Sequence, residues 1–270
     1  MIALKAFLQS TLTGFWHHRH LIRQLVAREI RARYRASFLG FLWSLIMPLS
    51  LLAIYTFVFS VIFRSTWPGN TFLPFSIILF AGLIPYTLFS DVLNRSPMLV
   101  LNNRSYVKKV VFPLPALSVV AVGTAFVDSL ITLSLLLIGV LVFARGLTWM
   151  VLLLPVVYIP LLLISLGLSW FLSSLGVYIR DVGPMVNIFT RLLFFLTPVV
   201  YSIERVPERF RWIMALNPLA FIVDAFRDVL LWGVSPAWTT WLIWSVLGLL
   251  ISGLGYLWFN LTRKGFADVI

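Results

Sequence analysis

The chain has 270 residues, of which 61% are apolar and only 11% are charged, whereas soluble domains carry about 25% charged residues. Its apolar residues form blocks longer than the roughly 20 residues that cross a bilayer, which excludes a soluble globular protein. The formal net charge of +12 lies at the ends of these blocks, so it indicates membrane orientation rather than nucleic-acid binding.

The first predicted element is a basic amphipathic helix at residues 19–35, within a cytoplasmic N-terminal segment of residues 1–37. Apolar residues recur there at helical spacing, at positions 21, 22, 25, 26 and 30, and arginines fill much of the rest. This pattern is typical of a helix that lies among lipid headgroups with its arginines toward anionic lipid. An ordinary positively charged anchor before the first span is the alternative, and both can hold.

Six transmembrane spans follow, as judged from block length and from the turn residues between the blocks. They cover about residues 38–63, 72–93, 114–143, 149–175, 185–201 and 238–261. Residues 38–261 therefore form one transmembrane domain, and residues 262–270 form a short tail. The predicted fold class is an all-α integral membrane protein.

The stretch between the fifth and sixth spans is too short and too polar to cross the membrane. Its most apolar part, residues 219–232, includes Asp224, Arg227 and Asp228, and a charge at the centre of a membrane helix costs about 2.5–3.5 kcal/mol. Asn217 followed by Pro218 is typical of a helix start. We predict two short helices, about 207–214 and 218–231, that enter the outer leaflet or lie on it.

Basic residues fall mostly on one side of this six-span layout. That side carries the six arginines of residues 19–35 and also Lys5, Arg95, Arg104, Lys108, Lys109, Arg180, Arg263 and Lys264. Because loops rich in Lys and Arg stay in the cytoplasm, both termini are predicted to be cytoplasmic.

Motifs for catalysis or nucleotide binding do not occur in the sequence. It contains no G-x-x-x-x-G-K-[ST], no H-E-x-x-H and no G-x-S-x-G. The three histidines, His17, His18 and His20, lie in the basic segment, where a solvated face is favoured over a metal site. The chain is therefore predicted to be no enzyme and to bind no cofactor, so uphill transport must draw energy from a partner or an ion gradient.

Two ionisable residues, Asp128 and Arg191, fall within predicted spans and are functional candidates for that reason. We expect the Asp128 side chain to bond to a hydroxyl one turn away, on Thr124 or Thr132. An Asp128–Arg191 pair is conceivable, although their depths match only loosely. Arg191 either snorkels to the cytoplasmic interface or lines a channel.

Aromatic side chains near one stripe of the first span and at the exit of the fifth suit the faces of sugar rings. Lipid contact or helix packing is the simpler account for any one of them. The candidates for a channel lining, with Arg191, are Trp43, Tyr55, Phe59, Phe194, Phe195 and Tyr201. On the fourth span, small residues at positions 165, 169 and 173 predict close helix packing.

Three segments in order resemble the permease subunits of type-2 ABC exporters. They are VAREIRARYRASFLGFLWSLIMPL (26–49), NNRSYVKKVVFPLPALS (102–118) and TPVVYSIERVPERFRWIMALNPLAFIVDAFRDVLLWG (197–233). Matches to the first pattern are Arg33, Tyr34, Ser37, Leu39, Gly40, Trp43 and Pro48. The likeness is closest to permeases that export O-antigen, capsule or teichoic acid polymers.

The resemblance implies roles for individual segments. Residues 19–35 would form an interface helix, and residues 207–231 would form outer gate helices. The residues that would couple the permease to its ATPase are Arg104, Ser105, Tyr106, Lys108 and Lys109. Basic residues at the cytoplasmic entrance would attract an anionic lipid headgroup, and the candidates are Arg28, Arg31, Arg33 and Arg35.

The partners implied are two ATPase subunits that hold ATP and Mg²⁺, a second copy of the permease, membrane lipids and an undecaprenyl-type lipid-linked polysaccharide. An exporter of a small hydrophobic drug or lipid is the alternative within transport. A membrane-embedded enzyme would need polar residues clustered on one face, and only nine acids exist, widely scattered. An ion-coupled carrier would lose transport on Asp128→Asn.

Overall fold

The computed structural model describes residues 18–35, 39–64, 66–68, 73–107, 112–143 and 146–269. Regular structure within these ranges is helical throughout and includes no strand, which confirms the predicted all-α class. In chain order the main helices are α1 (Arg19–Arg35), α2 (Trp43–Ile62), α3 (Phe75–Asn102), α4 (Arg104–Val107), α5 (Ala116–Phe143), α6 (Trp149–Tyr178), α7 (Val182–Leu196), α8 (Arg211–Ala215), α9 (Pro218–Arg227), α10 (Trp238–Gly265) and α11 (Phe266–Val269).

Five of the described helices, namely α2, α3, α5, α6 and α10, are long and apolar enough to cross a membrane. The helix in place of the predicted fifth span is shorter, since α7 has 15 residues and measures about 22 Å against a hydrocarbon core of about 30 Å. It ends at Leu196, and the next three residues, 197–199, are non-helical and buried. The predicted span 185–201 therefore corresponds to a short helix followed by a buried turn.

Helix α3 lies at the centre of the bundle. Ile78, Leu79, Ile84 and Val92 have no exposed surface, and α3 contacts α5, α6, α7 and α9. Such burial on all sides requires a helix that is apolar around its whole circumference, which residues 75–86 of α3 largely supply.

Helix α2 is held only loosely against the rest of the chain, because none of its residues is buried. Pro48 lies inside it, and its last part, Thr56–Ile62, is wound as a π-helix. This geometry is common at functional sites. Large exposed side chains such as Met47, Ile54 and Phe57 leave α2 with an open apolar face.

Glycines allow α6 and α10 to approach each other closely. A Cβ atom added at Gly255 would lie 2.1 Å from the carbonyl oxygen of Gly167, and one added at Gly167 would lie 2.5 Å from that of Ile251. Backbones in such contact gain dispersion energy that larger residues would prevent.

The small-residue seam of α6 packs against α3 and α5. The Oγ atoms of Ser169 and Ser96 are 2.9 Å apart, and those of Ser173 and Ser118 are 3.4 Å apart. These contacts confirm the prediction that the seam serves close helix packing.

The connections between helices lie in two groups, one at each end of the bundle. At one end, an apolar cluster joins the ends of α3, α6 and α10 to α11; its buried members are Val100, Trp170, Val177, Phe259 and Phe266. At the other end, Arg205 Nη2 donates to the Thr66 carbonyl over 2.7 Å, and Gly233 lies against Thr148. The segments that follow α2 and α7 and the segment that precedes α6 therefore lie at the end of the bundle opposite α11.

Candidate coupling and gate sites

Helix α1 docks on the bundle through its apolar face. Leu25 is buried, and a Cβ added at Gly123 of α5 would lie 3.1 Å from Val26 Cγ2. The opposite face carries exposed arginines, including Arg19, Arg23 and Arg31. The predicted amphipathic helix is therefore present, and its apolar face contacts protein in α5.

An ion network joins α1 to α3 and α5. Arg33 pairs with Asp128 of α5 and, over 4.0 Å between Nη2 and Oδ2, with Asp91 of α3. Arg95 pairs with Glu29 of α1 and, over 3.1 Å, with Asp91 one turn away. The five side chains keep between 24% and 40% of their surface exposed. Three carboxylates face two guanidiniums, so the network carries a formal charge of −1 when every group is ionised.

The partner predicted for Asp128 is wrong. The hydroxyls of Thr124 and Thr132 donate to backbone carbonyls, those of Val120 and of residue 128 itself. The carboxylate pairs with Arg33 instead, and Arg191 is exposed on α7. A threonine inside a helix readily bonds the carbonyl four residues earlier, which leaves the carboxylate to a group outside its own helix.

Asp128 also lies nearer to one end of the bundle than its position in the middle of α5 suggests. Asp128 lines the same cavity as Trp43 and Ser44, which are the first two residues of α2. It therefore lies near the first turns of α2. The network is accordingly placed where the apolar length of α2 begins.

The predicted coupling residues come directly after α3 in the chain. Arg104 and Ser105 are exposed in the short helix α4, and Tyr106 stacks on Phe112 with ring centroids 4.3 Å apart. The guanidinium of Arg28 lies 5.8 Å from the centroid of the Tyr106 ring, within cation–π range. Lys108 and Lys109 lie outside the described residues. The α4 segment therefore contacts α1 directly.

The four entrance arginines occupy different environments. Arg33 is engaged in the ion network, and Arg28 lies over Tyr106. Arg31 is exposed, and its Nε donates to the Ala27 carbonyl over 3.1 Å. Arg35 is the last residue of α1, and its side chain lies outside the described part of the chain.

The channel-lining candidates of α2 fall into two environments. Trp43 is 39% exposed beside the cavity that contains Asp128. Tyr55 and Phe59 are half-buried, and the Phe59 ring lies 5.4 Å from that of Phe75 on α3. Helix packing therefore accounts for Phe59 in the single chain.

The candidates near the end of α7 are similarly divided. Phe194 packs edge-on against Tyr86 with ring centroids 5.0 Å apart, whereas Phe195 is 69% exposed. The Tyr201 hydroxyl donates to the Phe195 carbonyl over 2.8 Å. Arg191 is exposed on the same helix.

Sequence reasoning missed a buried guanidinium under the outer helices. Arg227 is 2% exposed, and it donates to the carbonyls of Ile78, Pro198 and Val199 over 3.1, 2.6 and 2.6 Å. Its Cζ also lies 4.4 Å from the ring centroid of Trp67. This one side chain connects α9 to α3, to the turn after α7 and to the segment after α2.

The residues around Arg227 leave space for its guanidinium and supply a carboxylate. A Cβ added at Gly82 would lie 2.6 Å from its Nη2, so a larger residue at this position of α3 would displace the guanidinium. Asp224 accepts a longer bond of 3.4 Å from Nη1. Burial raises the pKa of Asp224, and the neighbouring guanidinium opposes that rise. The sequence signal that could have indicated this buried arginine is its position three residues after an acid, in an apolar stretch too short to cross the membrane.

The outer helices begin and end close to the predicted positions. A short turn at Glu208–Phe210 precedes α8, and a π-helical turn at Asp228–Trp232 follows α9. Asn217 Oδ1 accepts from the Leu219 amide over 3.0 Å, which confirms the predicted helix start at Asn217-Pro218. Asn217 Nδ2 also donates to the Leu196 carbonyl, so the cap fixes α9 to the end of α7.

A bundle of membrane-length helices, with a basic helix and a short polar helix docked at one end, is the architecture of a multi-pass membrane protein. The chain belongs to the family of ABC-2 type transporters, which matches residues 20–231. This finding confirms the resemblance to type-2 ABC exporter permeases, so the chain is a transport subunit.

Individual relatives are similar over most of the chain. It is 30% identical to the O-antigen export system permease protein RfbA of Klebsiella pneumoniae, over 93% of this chain and 95% of that protein. It is 32% identical to the protein of the same description from Myxococcus xanthus, over 79% and 81%. The polysialic acid transport protein KpsM of Escherichia coli is 24% identical, over 82% and 85%.

Proposed function

We propose that the chain is the channel-forming permease subunit of an ATP-driven exporter of lipid-linked polysaccharide of the O-antigen type. The observation that carries this proposal is the similarity over nearly full length to a permease described as exporting O-antigen. The more distant similarity to a polysialic acid transport protein agrees with a polysaccharide cargo. The chain would lie in the bacterial inner membrane with both termini in the cytoplasm.

The energy for export comes from a separate ATPase in this proposal. The sequence has no phosphate-binding loop, so two ATPase subunits that hold ATP and Mg²⁺ would bind two copies of the permease. The exposed α4 segment, with Arg104 and Ser105, offers a short charged element for a groove of the ATPase.

Movement of α4 would reach the bundle along two routes. The first is the chain itself, because α4 follows α3 after a single residue. The second passes through α1, whose Arg28 lies over the Tyr106 ring of α4. Glu29 of α1 pairs with Arg95 of α3, and Arg33 of α1 pairs with Asp128 of α5. Because α1 is tied to three elements at once, displacement of α4 would move α1, α3 and α5 together.

The cytoplasmic entrance in this proposal is the exposed arginine face of α1. Arg28 and Arg31 have no carboxylate partner within the described residues, and the same face would attract the diphosphate of an undecaprenyl-type carrier. The polymer would then pass between two permease copies beneath the outer helices α8 and α9.

Co-purification in a mild detergent tests the proposal most directly. The expected result is a stable complex of the permease with an ATPase, and cells that lack the permease should accumulate lipid-linked glycan in the cytoplasm. ATP hydrolysis by the isolated permease, or normal surface glycan in its absence, would overturn the assignment. Accumulation of a small hydrophobic compound instead would favour a drug or lipid exporter.

Charge reversal in α4 tests the coupling role. Arg104→Glu should reduce export while the ATPase continues to hydrolyse ATP, because the permease no longer follows the ATPase. Arg209→Glu is the control, since Arg209 is exposed at the opposite end of the bundle. Unchanged export by Arg104→Glu at normal expression would remove Arg104 from this role.

A further inference from the structure

A groove runs along one side of α2, between that helix and the pair α3 and α5. Its first part is a cavity of about 410 Å³ that includes Arg33, Trp43, Met47 and Asp128 in its lining. A second cavity of about 190 Å³ shares Met47 and Asp128 with the first and continues to Phe80. We refer to these connected spaces, together with the apolar cavity described next, as the α2 groove.

The far part of the α2 groove is almost purely apolar. A cavity of about 570 Å³ is lined by α2, α3 and α5, among them Leu52, Phe57, Phe80 and Leu136. Phe80 lies on the walls of this cavity and of the second one, so the spaces follow one another along α2. An apolar space that opens from a membrane protein is filled by hydrocarbon, since an empty space forfeits dispersion contacts.

The near part of the α2 groove contains charges of both signs. Arg33 supplies a guanidinium, and Asp91 and Asp128 supply carboxylates within reach of the same space. Asp128 Oδ1 is buried and has no hydrogen-bond partner among the described residues. The ion network has one more carboxylate than guanidiniums among its five members, so it retains capacity for a cationic donor.

This arrangement matches an amphiphile whose head bears both an anion and a cation. A phosphodiester would approach Arg33, and a primary ammonium would donate to Asp91 or Asp128. A diphosphate head is disfavoured, because among the described lining residues of the two polar cavities the carboxylates of Asp91 and Asp128 outnumber the guanidinium of Arg33. Trp43 lies at the polar end of the groove, where an aromatic side chain commonly marks the membrane interface.

We propose that the α2 groove binds one membrane phospholipid with a zwitterionic headgroup that carries a primary ammonium. The headgroup lies at Arg33, Asp91 and Asp128, and the acyl chains lie along α2 toward Phe80 and Leu136. The lipid fills the space that separates α2 from α3 and α5, so it supports a helix with no buried residue of its own. This site is independent of the polysaccharide cargo and does not rest on the proposed function.

Native mass spectrometry of the full-length chain in detergent, titrated with defined lipids, tests this site. The probes are phosphatidylethanolamine, phosphatidylcholine, phosphatidylglycerol and a polyprenyl diphosphate. We expect one phosphatidylethanolamine per chain, bound about tenfold more tightly than phosphatidylcholine or phosphatidylglycerol, because only its headgroup donates hydrogen bonds to the carboxylates from a cation. Equal binding of the three phospholipids, or displacement of the bound phosphatidylethanolamine by the polyprenyl diphosphate, would overturn the proposal.

Two pairs of variants locate the site. Asp128→Asn should weaken phosphatidylethanolamine binding by about tenfold, whereas Asp181→Asn, at an exposed turn, should leave it unchanged. Because Asp128→Asn also disturbs the docking of α1, a second variant fills the groove without loss of charge. Met47→Trp should reduce binding, while Ile54→Trp, on the same helix but outside the groove, should not. Retained binding by Met47→Trp would contradict the location.

Discussion

Two charged side chains in this protein have locations and partners that their positions in the sequence do not indicate. Asp128 occurs in the middle of a long apolar helix, yet it lies near the first turns of α2 and pairs with Arg33 of another element. Arg227 occurs in a stretch that reads as an outer surface, yet it is 2% exposed and donates to three backbone carbonyls. In both cases a charged group is stabilised by partners that are remote in the sequence.

A double-mutant cycle should show that Arg33 and Asp128 interact. Each of Arg33→Ala and Asp128→Ala should lower stability, and the double variant should lose less than their sum, with a coupling free energy of about 1–2 kcal/mol. Thermal unfolding of the purified chain provides the measurement. The effects of Arg31→Ala and Asp128→Ala should be additive, since among the described residues Arg31 bonds within its own helix. Additivity of Arg33 with Asp128 would contradict the pair.

Replacement of Arg227 by Met should destabilise the protein by about 3 kcal/mol or more, because three buried carbonyls lose their donor at about 1–3 kcal/mol each. Arg227→Lys should recover part of this loss, since an ammonium retains the charge but not the planar fork. Denaturant unfolding of the purified chain measures both. The control is Arg209→Met, which removes an exposed guanidinium lying over Phe210 and should cost under about 1 kcal/mol. Similar losses for both Met variants would refute the role of Arg227.

At the scale of helices, packing is decided by residue size as much as by apolarity. Helices α6 and α10 meet backbone to backbone at Gly167 and Gly255, and the seam of α6 places Ser169 against Ser96 of α3. Helix α2 has no such contacts and no buried residue. Helix α6 is therefore packed tightly against α10 and α3, whereas α2 is more loosely attached at the side of the bundle.

A single methyl group should separate α6 from α10. Gly255→Ala places a Cβ 2.1 Å from the Gly167 carbonyl oxygen, and we expect a loss of about 1–3 kcal/mol from the forced backbone shift. Gly183→Ala is the matched control, because nothing lies within 4 Å of a Cβ at that position in α7. Thermal stability in detergent distinguishes the two. A Gly255→Ala variant as stable as the control would show that the helices are further apart than described.

At the scale of the whole molecule, the connections between helices lie in two groups, one at each end of the bundle. Helix α1, α4 and the C-terminal α11 lie at one end, and the segments containing Thr66, Thr148 and Arg205 lie at the other. The first end carries the larger share of the basic residues in the sequence, which agrees with the cytoplasmic side proposed for it.

Because the chain contains no cysteine, single introduced cysteines report this orientation without a background. Ser105→Cys and Lys264→Cys should resist a membrane-impermeant maleimide in spheroplasts and react after the membrane is opened. Glu208→Cys should react in both conditions, because Glu208 is 89% exposed at the other end. Reaction of Ser105→Cys in intact spheroplasts would reverse the proposed topology.

The all-α membrane class, the basic helix at residues 19–35, the small-residue seam of α6 and the helix start at Asn217 could be predicted from the amino-acid sequence, because each depends on periodicity or on neighbouring residues. The pairing of Arg33 with Asp128, the burial of Arg227 and the early end of α7 at Leu196 depend on how the helices pack. The physical reason is that a charge or a helix end is stabilised by whichever donor or acceptor packing brings within reach, and such partners here lie up to 149 positions away along the chain.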